Sequence, residues 1–299
     1  VVDNSTIAVE IANGNVNLCT TLVTSMSELF KDNTSFNSEI GFWDTSSVTD
    51  MSNIFWNASS FNQDIGNWNT SSVVDMWGVF KNATSFNQNI GSWDVSNVQD
   101  FADMFWSALR FNKDIGSWDL SSALTINDMF IFTEDFNQNL NSWDTSNINS
   151  MQGVFRLSNF NGDISLWDTS NVTSMQLMFA NAELFNQNIG NWNVLNVNNM
   201  ESMFGEALLF NQNIGGWDTS NVTNMQAMFY RANSFNQDIG NWDTSSVSNM
   251  KRMFYITDSF NQDLTGWCVS GITSEPNSFA INSALTEANK PLWGKEFTV

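Results

Sequence analysis

The hydrophobic pattern of the chain repeats every 25 residues, with a single step of 24 residues before Trp167. Such a period is typical of repeat proteins, in which each unit buries its apolar face against its neighbours. The pattern predicts one elongated array of about ten units. Tryptophan marks one position in every unit, the last being Trp267. The side chains predicted to form a structural ladder are Trp43, Trp68, Trp93, Trp118, Trp143, Trp167, Trp192, Trp217 and Trp242.

Within each unit the same pattern predicts two short elements. Residues 241–245 alternate between apolar and polar positions, which indicates a strand with Trp242 and Thr244 inside and Asp243 outside. Residues 222–232 then place apolar side chains three and four positions apart, as one face of a short helix does. The predicted fold is therefore an α/β repeat solenoid, with one short parallel strand and a short helix or turn in each unit.

An asparagine follows the first phenylalanine of each unit. A fixed asparagine in every unit suggests a stacked amide ladder that satisfies turn backbone groups inside the solenoid. The alternative is a surface turn residue in the left-handed conformation. The ladder is the favoured interpretation, because a solvent-facing turn would accept Asp or Gly in some unit. The asparagines predicted to form this ladder include Asn62, Asn87, Asn112, Asn137, Asn186, Asn211 and Asn236.

The period degrades at both ends of the chain. Residues 1–17 are predicted to form an N-terminal cap, residues 18–270 the repeat solenoid, and residues 271–299 a C-terminal cap that carries both prolines. Terminal units of repeat proteins need a different outer face to stop the stacking.

The charge of the chain restricts its partners. The formal net charge is −21, and histidine is absent. Nucleic acid and anionic membrane surfaces are therefore unexpected partners, since both attract clustered Lys and Arg. No apolar run approaches the roughly 18 residues of a membrane-spanning segment, so no membrane insertion is expected. The acidity suits an extracellular or cell-surface setting.

No enzyme motif is recognisable in the sequence. A nucleophile activated by histidine is excluded, and no phosphate-binding glycine loop or GxSxG motif occurs. Carboxylates recur in every unit, so no pair stands out as catalytic. We therefore expect a protein that is not an enzyme and has no cofactor, with Ca²⁺ as the one candidate cation.

A row of aspartates follows the tryptophans and is the candidate Ca²⁺ site, because this cation prefers several carboxylate and carbonyl oxygens. The alternative, which the sequence favours, is that each carboxylate accepts hydrogen bonds from the following turn. Two asparagines, Asn69 and Asn193, interrupt the row. The candidate metal ligands are Asp44, Asp94, Asp119, Asp144, Asp168, Asp218 and Asp243.

Serines two positions later extend the same outer face, and we call the two rows together the Asp–Ser ribbon. A regular array of hydroxyl groups also raises an ice-binding hypothesis, which the charged flank of the ribbon disfavours. The serines proposed to contact a partner are Ser46, Ser96, Ser121 and Ser146.

Aromatic residues outside the repeat pattern form a second candidate contact surface. Phe42, Trp56, Trp77 and Trp106 are predicted either to form a patch for a partner or to pack one unit against the next. Cys19 and Cys268 occupy equivalent positions near opposite ends of the array, so they are expected to be free or to join neighbouring molecules.

The segment FNQNIGGWDTSNVTNMQAMFYRA, residues 210–232, resembles the repeats of BspA-like leucine-rich-repeat surface proteins. The resemblance covers residues 18–270. It implies a right-handed leucine-rich-repeat-like coil, secreted or held at a cell surface, that adheres to other molecules. It supplies no catalytic residues.

Together these features predict a non-enzymatic recognition or adhesion module that binds protein or glycan through many weak contacts at fixed spacing. Two alternatives stay open. The first is a structural protein that self-associates end to end into filaments. The second is an ice-binding protein.

Overall fold

The computed structural model describes residues 1–294. The 25-residue repeats are grouped in two larger compact units, one of residues 1–147 and one from Ile148 onward. Within residues 1–294 the helices are one α-helix, α1 (Ile7–Ala12), and one 3-10 helix (Glu287–Asn289). No residue in that range belongs to an extended strand. Helix α1 lies in the predicted N-terminal cap, and residues 295–299 of the predicted C-terminal cap lie outside the described residues.

The predicted fold class, an α/β repeat solenoid with one short strand and a short helix or turn in each repeat, is wrong, because the described repeats contain turns but neither an extended strand nor a helix. In both units, consecutive repeats meet instead through tight turns and isolated parallel bridges of one residue each. The first unit contains Asp3↔Leu22, Ser25↔Asp50, Asp50↔Asp75, Asp75↔Asp100 and Asp100↔Thr125, and the second contains Ser150↔Ser174, Ser174↔Asn199, Asn199↔Asn224 and Asn224↔Asn249.

The segment predicted to be helical consists of two successive turns. In residues 222–232, Ala227 and Arg231 have φ angles of 53° and 54°. This left-handed conformation cannot continue a right-handed helix. The N–H groups of Met225 and Phe229 donate to carbonyls of the following repeat at 2.9 and 3.0 Å, so contacts between repeats replace those within a helix. The predicted apolar face is nevertheless buried, because the turns direct it inward.

The segment predicted to be a strand has the expected burial but no backbone ladder. Trp242 and Thr244 are buried, and Asp243 is exposed. The Trp242 N–H closes a turn onto the Ile239 carbonyl at 3.1 Å, which prevents extended pairing. The Thr244 hydroxyl donates to the Cys268 carbonyl at 2.9 Å, so a side chain makes the link to the next repeat.

The core of each unit consists of stacked phenylalanines. Within one repeat, the rings of Phe55 and Phe61 lie 3.8 Å apart, and Phe55 is 5.7 Å from Phe80 of the next repeat. In the second unit, Phe204 lies 3.9 Å from Phe210 and 5.7 Å from Phe229. Each buried aromatic stabilises the fold by roughly 1.5–3 kcal/mol, so the cores depend on repeat-to-repeat contact.

Candidate binding surface

The tryptophans of the repeat are buried on the inner side of the Asp–Ser ribbon. Their indole groups donate hydrogen bonds to the backbone of the preceding repeat. Indole rings of successive repeats stack at 6.5 Å between Trp43 and Trp68, and at 6.3 Å between Trp217 and Trp242. The Trp68 indole N–H donates to the Ile40 carbonyl at 3.1 Å, and the same bond recurs in other repeats of both units. The stacked rings and these hydrogen bonds together set the spacing between successive repeats.

The asparagines after the first phenylalanine connect one repeat to the next along a second line. The Asn87 N–H donates to Oδ1 of Asn62 at 2.9 Å, and the Gln88 amide donates to the same oxygen at 2.9 Å. These residues are half-buried or exposed rather than enclosed. The same backbone-to-Oδ1 bond continues at Asn112, Asn137, Asn186, Asn211, Asn236 and Asn261.

The Asp–Ser ribbon is exposed, and each aspartate is held by the serine two positions later. Oδ1 of Asp44 accepts the Ser46 N–H at 3.1 Å and the Ser46 hydroxyl at 2.7 Å. Ser96 binds Asp94 at the same two distances. Asn69 takes the same role toward Ser71, which explains why the row accepts asparagine. The serine N–H bond recurs at Asp119, Asp144, Asp168, Asp218 and Asp243.

These hydrogen bonds favour the ionised carboxylates of the ribbon. The Ser46 hydroxyl and N–H lower the pKa of Asp44, and the Ser121 N–H and hydroxyl lower the pKa of Asp119. Asp168 and Asp218 have lowered pKa values for the same reason. These four aspartates therefore present fixed negative charges at neutral pH.

The calcium hypothesis needs several oxygen ligands around one point. In the part of the chain that the structure describes, no group of three or more His, Cys, Asp or Glu side chains is arranged to hold a metal ion. The ribbon aspartates are instead distributed one to a repeat, each bonded to its own turn.

The four aromatic candidates do not share one environment. Phe42 is 57% exposed and borders a shallow opening with Asp64, and Trp77 is 38% exposed. Trp56 and Trp106 are half-buried against lysines. The Lys81 ammonium lies 4.0 Å from the Trp106 ring centroid and 5.4 Å from that of Trp56, an arrangement of cation–π contacts that packs repeat against repeat.

A second acidic column was missed by the sequence-based prediction of the ribbon. Asp50, Asp75 and Asp100 occupy the bridging positions of three consecutive repeats and are half-buried. Partial burial raises the pKa of Asp75, and the carboxylates of Asp100 and Asp50 raise it further. The signal was present in the sequence as aspartates spaced by 25 residues, six positions after the ribbon row of Asp44, Asn69 and Asp94 and at the predicted helix start.

Both cysteines are free thiols, Cys19 exposed and Cys268 half-buried. No helix within residues 1–294 is long and apolar enough to cross a membrane.

The repeats are those of a known family of proteins. The family model described as "Mycoplasma protein of unknown function, DUF285" matches three overlapping stretches, residues 24–143, 124–217 and 191–291. These matches cover most of the chain, which therefore belongs to this family of repeat proteins. No curated protein and no solved structure matches the chain.

Proposed function

We propose that this protein is a non-enzymatic recognition or adhesion module, secreted or held at a cell surface, that binds protein or glycan through the Asp–Ser ribbon. The observation that carries the proposal is the recurrence of one exposed carboxylate turn in successive repeats. The turn at Asp44 and Ser46 has the same hydrogen-bond pattern as those at Asp94 and Asp218.

The geometry of each turn leaves an acceptor for a partner. At Asp44, Asp94 and Asp218 the serine bonds use Oδ1, so Oδ2 takes no part in the turn. The carboxylates are exposed and fixed in orientation. Hydroxyl groups of a glycan, or amide and ammonium groups of a protein, are the donors that suit such acceptors. A contact with one exposed carboxylate is weak, but several contacts at fixed spacing add through effective concentration.

Two further features support the proposed role in adhesion. The net charge of −21 disfavours nucleic acid and anionic membranes. The resemblance of the repeats to BspA-like surface proteins supports adhesion as the role of the array.

The proposal can be tested by screening the purified chain against a glycan array and a panel of immobilised basic proteins. Any binding found is then compared between the wild type and the triple variant Asp44→Asn, Asp94→Asn and Asp218→Asn. Asparagine occupies the ribbon at Asn69 with its turn intact, so the variant is expected to fold. We expect the apparent affinity to fall at least tenfold.

A matched control removes the same charge from another exposed row. The aspartates Asp64, Asp114 and Asp238 each accept a glycine N–H at 2.9 Å, and asparagine occupies equivalent positions in other repeats. The triple variant of these three residues to Asn should bind like the wild type. Equal losses in both variants would mean that net charge, not the ribbon, governs binding.

A further inference from the structure

One column of side chains differs sharply between the two units. It consists of the residue that follows the second phenylalanine of each repeat, and we call it the variable column. In the first unit its first four members alternate between cations and aromatic rings, and Ile131 follows them. The Lys31 ammonium lies 4.3 Å from the Trp56 ring centroid, and Lys81 lies between Trp56 and Trp106. The column is filled without a gap from Lys31 to Trp106.

In the second unit the variable column is interrupted. Arg156 and Tyr230 are separated by Ala180 and Gly205, which supply a methyl group and a hydrogen. The missing side chains leave a cavity of about 140 Å³, lined by all four residues and flanked by Asn181 and Glu206. The cavity therefore results from residue size within a regular stack.

The backbone does not require glycine at this point. A Cβ atom added to Gly205 would meet no atom closer than 3.5 Å, and its φ angle lies outside the left-handed region. A larger side chain could therefore continue the column, as Trp106 does in the first unit. The absence of a side chain at Gly205 therefore leaves space that an external group could occupy.

The upper wall of the cavity is a flat aromatic face. The Tyr230 ring stacks on Tyr255 with centroids 5.6 Å apart and an angle of 2° between the planes. Tyr255 covers one face of Tyr230, so the opposite face borders the cavity. Such a face accepts the apolar side of another ring.

The opposite wall supplies the positive charge of Arg156. Nε of this side chain is buried and makes no hydrogen bond within the described residues, so a group in the cavity would meet the outer part of the guanidinium rather than this atom. The carboxylate of Glu206 is paired with Arg231 at 3.5 Å, so Arg156 leaves the cavity with a net positive charge. A carboxylate is the acceptor that best matches a guanidinium group.

We propose that this cavity binds a sugar ring that carries a carboxylate, a hexuronate residue either free or within an acidic polysaccharide. Its carboxylate would accept from Arg156, and the apolar face of its ring would stack on Tyr230. Its hydroxyl groups would meet the side chains of Asn181 and Glu206. The cavity suits a single monosaccharide rather than a longer segment. This site is separate from the Asp–Ser ribbon and does not depend on the ribbon's function.

The test titrates sodium glucuronate into the purified chain, followed by calorimetry and saturation-transfer NMR. We expect saturable binding, with neutral glucose at least tenfold weaker because it lacks the charged acceptor. Arg156→Met removes the donor and keeps the aliphatic stem, and Gly205→Trp fills the cavity. Each should weaken glucuronate binding tenfold or more. Lys251→Met removes an exposed charge of the same unit and should leave binding unchanged.

Three results would overturn the proposal. One is the absence of saturable glucuronate binding by the folded wild type, as judged by its circular dichroism. Another is retention of binding in both Arg156→Met and Gly205→Trp, which would place the sugar elsewhere on the chain. Benzoate binding tenfold tighter than glucuronate would assign the cavity to an aromatic carboxylate instead.

Discussion

Replacing Asp75 by asparagine should stabilise the protein at neutral pH. Asp75 lies between Asp50 and Asp100, which pair with it through single bridges from the preceding and following repeats. Burial and these two carboxylates raise its pKa, so the charged form of Asp75 is disfavoured in the folded state. Asparagine removes that charge and still offers Oδ1 to the Trp77 N–H, which now donates to Asp75 at 2.8 Å.

The expected gain follows from the two like-charge pairs. Like charges directly opposite in neighbouring strands destabilise by a few tenths to roughly 1 kcal/mol per pair. Half-exposed groups are screened by solvent and salt, so we expect a total gain of about 1 kcal/mol in the free energy of unfolding. The second unit shows the substitution already in place, since the Asn224 amide donates to Oδ1 of Asn199 at 3.2 Å.

The pH dependence has a definite sign. A carboxyl group with a raised folded pKa contributes its full stability below the unfolded value, about 3.9, and loses it as pH rises through the folded value. The gain of Asp75→Asn should therefore be largest at pH 7 and disappear below about pH 4.

Differential scanning calorimetry at low salt, at pH 7 and pH 3.5, measures this difference. A gain of about 1 kcal/mol corresponds to a rise in Tm of about 2–4 °C for a unit of this size. Asp114→Asn is the matched control, because Asn89 and Asn139 occupy the equivalent positions in the adjacent repeats and give no like-charge neighbour. A lower Tm for Asp75→Asn at pH 7, or an equal rise at pH 3.5, would refute the electrostatic explanation.

Three other outcomes follow from the structure. Trp118→Ala should lower the free energy of unfolding by about 3–5 kcal/mol in guanidinium titrations, because it empties a buried site and removes the donor to the Ile90 carbonyl; a loss below 1 kcal/mol would contradict the ladder. Phe132→Asn should raise stability by about 1 kcal/mol, since Phe132 has a φ of 55° and is 45% exposed, whereas Phe42→Asn at an exposed site without positive φ should give no gain. Sedimentation velocity should show a single-chain mass at all concentrations, unchanged by millimolar Ca²⁺ or EDTA, and growth with concentration would favour end-to-end filaments instead.

The sequence predicted which side chains are buried more reliably than it predicted their backbone. The alternation at Trp242 and Thr244 identified the inner face correctly, because burial depends on residue polarity. The predicted helix was wrong because its spacing of three and four also arises from successive turns. Asn53 and Asn57 sit at the left-handed positions of one repeat and signal such turns. Ala227 at the equivalent position gives no such signal.

The two candidate sites also differ in how far the sequence alone could predict them. The bond between Asp44 and Ser46 is local, so residue spacing alone could suggest it. The cavity beside Gly205 depends on the alignment of small residues from successive repeats between Arg156 and Tyr230. The repeat register aligns these residues, including the step of 24 residues between Arg156 and Ala180, but the sequence does not show that an opening forms between them.

The most direct test of multivalent recognition by the Asp–Ser ribbon is the dependence of affinity on the number of ribbon carboxylates. Asp44, Asp94 and Asp218 are changed to Asn singly, in pairs and together, and the apparent Kd for the bound glycan or protein is measured by surface plasmon resonance. Weak contacts that act together predict that log Kd rises in roughly equal steps with each carboxylate removed. Complete loss from one single substitution, or no change in the triple variant, would contradict the account.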